Sequence, residues 1–325
     1  MKNKISLGTK IIISEFRERG YNVKKLPIGT GIIEIYKNDK KIIMAGSDAP
    51  VNFALGSSFA KNKYYSNYFC KVNKIPVPKH IVCNDLKQVK KAAKKIKFPV
   101  VIKPLNLAHG EGVIVNIKNI KDLLYESDIA LEKYKTIAVE KYIRGRDHRL
   151  LVVDGKFVSS VMRIPATVIG DGKNSIKKLI NIENKNPLRG VGYTKPLVKI
   201  EINDETKKLL IKNEYTLDEV PRKGEVIYLK ETSNQSKGGE TEVITDKVHK
   251  SYIKLAEKAA KVIGLKYAGV DIVTEDISKD NYGNLGKVIE VNSFPGIDMH
   301  QYPSRGKGDN VGKVIVDMIE KYCFK

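Results

Sequence analysis

Three apolar runs in this chain are each interrupted by a charged residue: Val100-Val101-Ile102-Lys103, Ala268-Gly269-Val270-Asp271-Ile272-Val273 and Val288-Ile289-Glu290-Val291-Asn292. Short runs of β-branched residues read as buried strands. A charge inside such a strand is costly unless it is paired or bound to a ligand, so the fold must bring partners to Asp271 and Glu290. Glu290 and Asn292 are two apart and share a face of their strand. Three oxygen donors on neighbouring strands suit Mg²⁺, which takes few protein ligands and fills its shell with phosphate oxygens and water. An ion pair with a buried Lys or Arg is the alternative. Lys103, ending its strand before Pro104, is placed to meet phosphate as a point charge; a snorkelling surface lysine is the alternative there.

The segments between these strands extend the same chemistry. His109-Gly110-Glu111-Gly112 follows Lys103 closely enough to fold over phosphates with Gly110, Glu111 and Gly112 offering backbone N–H groups. The stretch Glu140–Asp147 has the form of an adenine-binding hinge: backbone groups of Lys141 and Ile143 can read the base edge, and Asp147 can bond a ribose hydroxyl. Arg149 and Arg163 are candidates for a substrate carboxylate or the charge developing on phosphate, with surface ion pairs as the alternative. Asn234, Ser236, Gly238 and Gly239 suggest a second phosphate loop or a plain turn. Together these residues point to a nucleoside triphosphate held with Mg²⁺. Neither a P-loop nor a G-x-S-x-G elbow is found.

At 325 residues the chain can bury a substantial core divided into two or three lobes. Its formal charge of +22 first suggests nucleic acid, yet only nine of the 59 basic residues are Arg. The densest cluster, Lys87–Lys97, falls at helical spacing with Ala and Ile between, the pattern of a solvated helix face. Base reading and stacking need Arg and aromatic residues that this cluster lacks, so nucleic acid is not the expected partner. The excess can still attract anionic substrates. No run approaches the ~20 apolar residues of a membrane span, and the N-terminal apolar run is too short for a signal peptide. Cys70, Cys83 and Cys323 are odd in number with no C-x-x-C spacing, which fits a reducing cytoplasm rather than disulfides or zinc.

Periodicity and turn residues predict an α/β N-terminal part over 1–75, a central lobe over 76–145 and a larger lobe over 146–325. The first contains a helix at Thr9–Arg19, a hairpin of Ile32–Tyr36 with Lys41–Met44, and a helix at Phe59–Val72 ending before Ile75-Pro76-Val77-Pro78. Helix Leu86–Ile96, capped by Asp85 or Asn84, and helix Ile120–Glu132 flank strands Val100–Lys103 and Val113–Ile117. Beyond the hinge come a hairpin around Asp154-Gly155, helices at Ser175–Lys185, Asp204–Lys212 and His249–Ile263, strands Tyr267–Thr274 and Lys287–Asn292, and a closing helix at Val311–Tyr322.

In order and spacing these segments resemble the ATP-grasp superfamily, from about Lys61 to Lys307. Arg144–Val153, Arg163-Ile164-Pro165-Ala166, Gly170-Asp171-Gly172-Lys173, Asn186-Pro187-Leu188-Arg189-Gly190 and Asn234–Gly239 look like the ATP-grasp part of bifunctional glutathione synthetases and of cyanophycin synthetases. The resemblance implies an α+β ATP-grasp fold of three subdomains with ATP held between two α+β lobes. It implies Lys63 and Lys103 on the ATP phosphates, Glu140 to Ile143 on adenine, Asp147 on ribose, and Asp271, Glu290 and Asn292 on Mg²⁺, for which Mn²⁺ can substitute. Arg163 and the 234–239 loop would face the acyl-phosphate. The family's Asp-Lys pair is Asn62-Lys63 here, and its basic residue four positions later is Asn67. The implied activity is ATP-dependent carboxylate–amine ligation, with γ-glutamylcysteine and glycine as the first expectation. A cyanophycin synthetase-like or other amino-acid ligase is the alternative, and an ATP-binding regulator or nucleic-acid binder without ligase activity is a rival of another class. The expected partners are small amino acids or peptides, with no membrane and with a homo-oligomer left open.

Overall fold

The computed structural model describes residues 5–27, 31–105 and 111–325. His109 and Gly110 of the glycine-rich loop therefore lie outside the described residues. The chain opens with α1 (Leu7–Glu18), capped by the Ser6 hydroxyl, and an antiparallel meander of β1 (Asn22–Lys25), β2 (Ile32–Lys37) and β3 (Lys40–Ala45). Next come α2 (Ala54–Lys61), α3 (Lys63–Val72), β4 (His80–Cys83), α4 (Leu86–Ile96), β5 (Val100–Pro104), β6 (Ile114–Ile117), α5 (Ile120–Tyr134), β7 (Ile137–Lys141) and β8 (Arg146–Val153). β9 (Lys156–Ile164), β10 (Thr167–Ile169), α6 (Ile176–Glu183), β11 (Arg189–Gly190), β12 (Leu197–Val198), α7 (Asp204–Lys212), β13 (Val226–Tyr228) and β14 (Glu240–Val243) follow. The last elements are α8 (Lys250–Ile263), β15 (Tyr267–Thr274), β16 (Lys287–Asn292), α9 (Asp298–Gln301) and α10 (Val311–Ile319).

These elements form two compact units built from interleaved segments. One takes the residues up to Val51 with Ser159–Thr245 and Pro295–Lys325; the other takes Asn52–Val158 and Asp246–Phe294. In the second unit β4-β7-β5-β6 form a sheet whose core is set by strand parity. Val100 and Ile102 of β5, with Ile137 and Val139 of β7, pack against Val89, Ala92, Ala93 and Ile96 of α4 and Leu123 and Ala130 of α5. The α4 spacing of three and four places those side chains on one stripe. Each fully buried Val, Ile or Leu among them contributes roughly 1.5–3 kcal/mol. Because neighbours along a strand point to opposite faces, the same packing sends Val101, Lys103, Ala138 and Glu140 to the face away from α4 and α5. This unit also holds the antiparallel strands β8-β15-β16, on which α8 packs, with the Tyr252 hydroxyl 2.7 Å from Thr274 Oγ1.

In the first unit α1 packs on α10, and Arg19 spans the two at 2.6 Å from Asp317 and 2.7 Å from Glu320. A separate core of Ile176, Leu179, Ile180, Ile200, Leu210, Ile227 and Leu229 joins α6, α7 and β13. Among the described residues no helix is long and apolar enough to cross a membrane.

One expected element is corrected. The single helix Phe59–Val72 is instead α2 and α3, broken at Asn62, whose backbone is extended (φ −104°, ψ 109°). The Asn62 side-chain oxygen accepts from the Tyr64 and Tyr65 N–H groups at 2.9 and 3.2 Å, so it restarts the helix as an N-cap. The residue that departs from the family pattern therefore places Lys63 in the first turn of α3.

Candidate active site

Register puts the charges together. On the sheet face opposite α4 and α5, Glu140 of β7 lies directly across from His80 of β4. It also lies across from Val101 of β5, two residues from Lys103 on that face. Both of its oxygens are engaged: Oε1 is 2.9 Å from His80 Nδ1 and Oε2 is 2.6 Å from Lys103 Nζ. Burial alone lowers an amine and raises a carboxyl. Here the Glu140 charge and hydrogen bond, helped by Glu290 and Asp147, outweigh burial and raise Lys103. Lys103 and His80 likewise outweigh burial at Glu140 and hold it down at about 2. An ionised Glu140 only accepts, so His80 donates from Nδ1. His80 Nε2 is buried without a partner among the described residues.

The second cluster lies on β8, β15 and β16. Asp271 stands opposite Arg149 on one side and Glu290 on the other, and the register slips just past Asp271. Arg149 grips Asp271 bidentately: Nε donates to Oδ1, and Nη2 to Oδ2 at 2.9 Å. Asn292 Nδ2 reaches Asp271 Oδ2 at 3.4 Å, and Lys63 Nζ sits 3.1 Å from Glu290 Oε1. A cleft lined by Lys63, Ser66, Asn67, Glu140 and Glu290 joins this cluster to the first. The structure thus gathers Lys63, Lys103, Glu140, Asp147, Arg149, Asp271, Glu290 and Asn292 in one unit. It also pairs each of the buried acids with a cation.

The hinge is built from backbone. The Lys141 and Tyr142 N–H groups donate to Lys79 O and Pro99 O, and Lys141 Nζ caps the Lys97 and Phe98 carbonyls. Half-buried Ile143 follows, then Gly145 at φ +140°, where a Cβ would stand 2.3 Å from the Thr274 carbonyl carbon. Only glycine fits there. Glu111 is exposed and 3.6 Å from Lys133, and Gly112 is crowded by Pro104 and Tyr134.

The other unit carries Arg163, on β9 opposite Thr241, and the 234–239 segment. That segment is a single 3₁₀ turn whose amides close on itself: Lys237 and Gly239 N–H donate to Asn234 O, and Gly238 N–H to Gln235 O. Gly238 takes φ +89° with Ile200 against it. His80 and Asp298 stand outside every motif of the sequence, and Gln235 falls inside the 234–239 segment without a role of its own. Their partners depend on register and tertiary contact, and the one local signal, a histidine opening an apolar strand, is weak.

The donor set fits a divalent cation with nucleotide phosphates. Asp271 and Glu290 are cross-strand neighbours and Asn292 shares their face, giving two carboxylates and an amide oxygen. Among the described residues no three His, Cys, Asp or Glu side chains gather as a metal group. A carboxylate has lone pairs enough to keep Arg149 and accept a cation as well.

Residues 62–178 match the ATP-grasp domain of prokaryotic glutathione synthetase, and residues 199–319 match the RimK-like ATP-grasp domain. The cyanophycin synthetase of Trichormus variabilis is 38% identical over 323 residues, covering 97% of this chain and 35% of that protein. The glutathione biosynthesis bifunctional protein of Clostridium perfringens is 30% identical over 320 residues, covering 97% of this chain and 41% of that one. The crystal structure of a bifunctional glutathione synthetase from Pasteurella multocida superposes with a TM-score of 0.72 at 26% identity, over 98% of this chain and 44% of that one. The chain spans about a third of the length of the cyanophycin synthetases it matches. It belongs to the ATP-grasp superfamily and has the α+β ATP-grasp fold.

Proposed function

We propose that this chain is an ATP-dependent carboxylate–amine ligase acting through an acyl-phosphate. The observation that carries the reading is the cleft shared by Lys63, Glu140 and Glu290, with Lys103 paired to Glu140. A substrate carboxylate attacks the γ-phosphorus of ATP and ADP leaves. An amine then attacks the acyl carbon, and phosphate leaves as the amide forms. Lys63 and Lys103 would meet phosphate oxygens as point charges, exchanging a protein carboxylate for a ligand one. Asp271, Glu290 and Asn292 would hold Mg²⁺, or Mn²⁺ in its place, which would supply positive charge against that of the phosphates. Lys141 and Ile143 would face adenine and Asp147 the ribose, with Gly110, Glu111 and Gly112 over the phosphates. Most of the acceleration would be positioning and charge stabilisation rather than proton transfer.

For the substrates, the identity of 38% to a cyanophycin synthetase against 30% to a glutathione biosynthesis protein favours amino-acid addition to a peptide chain over the γ-glutamylcysteine and glycine first expected. Both readings use the same nucleotide machinery. We take the acceptor half to lie with Arg163 and the turn of Asn234, Ser236, Gly238 and Gly239, and a soluble, cytoplasmic enzyme to be the setting. The boundaries near 75 and 145 remain our proposed subdomain division.

The test is ADP release with Mg²⁺ across a matrix of amino acids, aspartyl peptides and γ-glutamyl peptides, with products weighed by mass spectrometry. A new amide product with an aspartyl peptide is expected. Glutathione as the sole product would restore the first expectation. ATP binding without ADP release from any pair would remove ligation altogether. Asp271→Asn and Glu290→Gln should each cut turnover by about 10²-fold or more; near-normal rates would remove the metal assignment.

A further inference from the structure

The 234–239 turn is short, yet buried or charged side chains hold it at three of its residues from three separate elements. Gln235, 5% exposed, donates from Nε2 to Asp298 Oδ2 of α9 at 2.6 Å and to Pro196 O at 2.9 Å. Lys237 Nζ reaches Glu205 Oε1 of α7 at 2.9 Å. Gly238 O accepts from Arg189 Nη1 of β11 at 3.0 Å. The Arg189 side chain is fully buried, and its remaining contacts go to Val198 O, Glu183 and Glu240. Buried polar groups such as Gln235, Asp298 and Arg189 add little net stability over apolar packing of the same shape, but they fix geometry. An ordinary surface turn needs none of them. Between the held residues sits half-buried Ser236, whose hydroxyl has no protein partner among the described residues.

We propose that Asp298, Arg189 and Glu205 are positioning residues that hold the 234–239 turn rigid, so that Ser236 meets the acceptor-side substrate in one fixed orientation. The proposal rests on the ligase reading above and deepens it. The turn is a preformed platform, not a flexible loop that closes on a ligand. It bears on the amino-acid or peptide substrate and not on ATP.

Two measurements on the full chain test it. Hydrogen exchange read by mass spectrometry, without any ligand, should show the peptide covering 234–239 protected. Gln235→Leu, which keeps volume and removes the donor, should speed exchange there about tenfold while peptides from α6 and α10 stay unchanged. A wild-type turn exchanging as fast as an open loop would overturn the clamp whether or not the protein is a ligase. In the ADP-release assay Gln235→Leu should raise KM for the peptide or amino-acid substrate about tenfold, with KM for ATP within about twofold. Asp298→Asn keeps an oxygen for Gln235 to donate to and should stay near wild type, whereas Asp298→Leu should match Gln235→Leu. Equal rises in both KM values, or faster exchange with an unchanged substrate KM, would overturn the positioning role. If wild type releases no ADP with any substrate, the ligase reading and the positioning role fall together, and the exchange result still decides whether the turn is clamped.

Discussion

Two buried ion pairs in the same unit are built differently. Lys103 meets Glu140 through one contact from a flexible stem, and that carboxylate keeps a second partner in His80. Arg149 meets Asp271 through a planar, bidentate grip between side chains 8% and 1% exposed. A lysine ammonium can exchange one oxygen for another by rotating its stem, and Glu140 would retain His80 when it does. Arg149 cannot leave Asp271 without stranding two buried charges. The contrast separates a pair suited to ligand exchange from one suited to fixing strands, although both join an acid to a base in the same unit.

The largest expected effect breaks the fixed pair. Arg149→Met should cost about 3–5 kcal/mol by leaving Asp271 uncompensated, and adding Asp271→Leu should return most of it. Urea unfolding of the two variants measures both numbers; a single variant as stable as wild type would show that the grip fixes nothing. Next is Lys103→Met, which should slow ADP release by roughly 10²–10³-fold while the fold persists, because the exchangeable cation is lost from the phosphate site. Equal rates with intact ATP binding would erase the distinction between the pairs.

The third prediction is acid sensitivity. Glu140 is held at about 2 against an ordinary 4.5, so the stability it adds is present above pH 4.5 and disappears as pH falls toward 2. Melting temperatures followed across that window should fall in wild type, and Glu140→Gln should flatten the slope. An unchanged slope would mean that the carboxylate is not held by its neighbours. The smallest effect lies at the entrance to α3. Asn62→Ala should cost about 1 kcal/mol in denaturant unfolding, and Asn62→Asp only a few tenths, since either Asn or Asp can cap Tyr64 and Tyr65.

Local signals made much of the fold legible. Helix Asp204–Lys212 and strands Tyr267–Thr274 and Lys287–Asn292 have the bounds read from the sequence, and the helix expected over His249–Ile263 ends at Gly264 in the left-handed conformation that favours glycine. The break at Asn62 escaped because aromatic residues continue across it, although the capping residue itself stood in view. Lys103, Asp271 and Glu290 could be picked out because each charge interrupts an apolar strand, and Glu140 because it opens the hinge. Their partners could not. Arg149 and Asp271 are 122 residues apart and His80 and Glu140 are 60 apart, and only strand register decides such pairs. The alternative weighed for Asp271, an ion pair, is present in the structure, and the oxygen set expected for metal is gathered around it.

The interleaving of the two units has a consequence for synthesis. Arg19 at the end of α1 finds Asp317 across 298 residues of chain. At the usual ~5–20 residues per second, a ribosome takes roughly 15–60 s to deliver the second partner after the first. Until then α1, which carries the buried Ile11, Ile12 and Phe16, has no α10 to pack against. From its own synthesis until that of α10, α1 therefore lacks one of the elements it packs on.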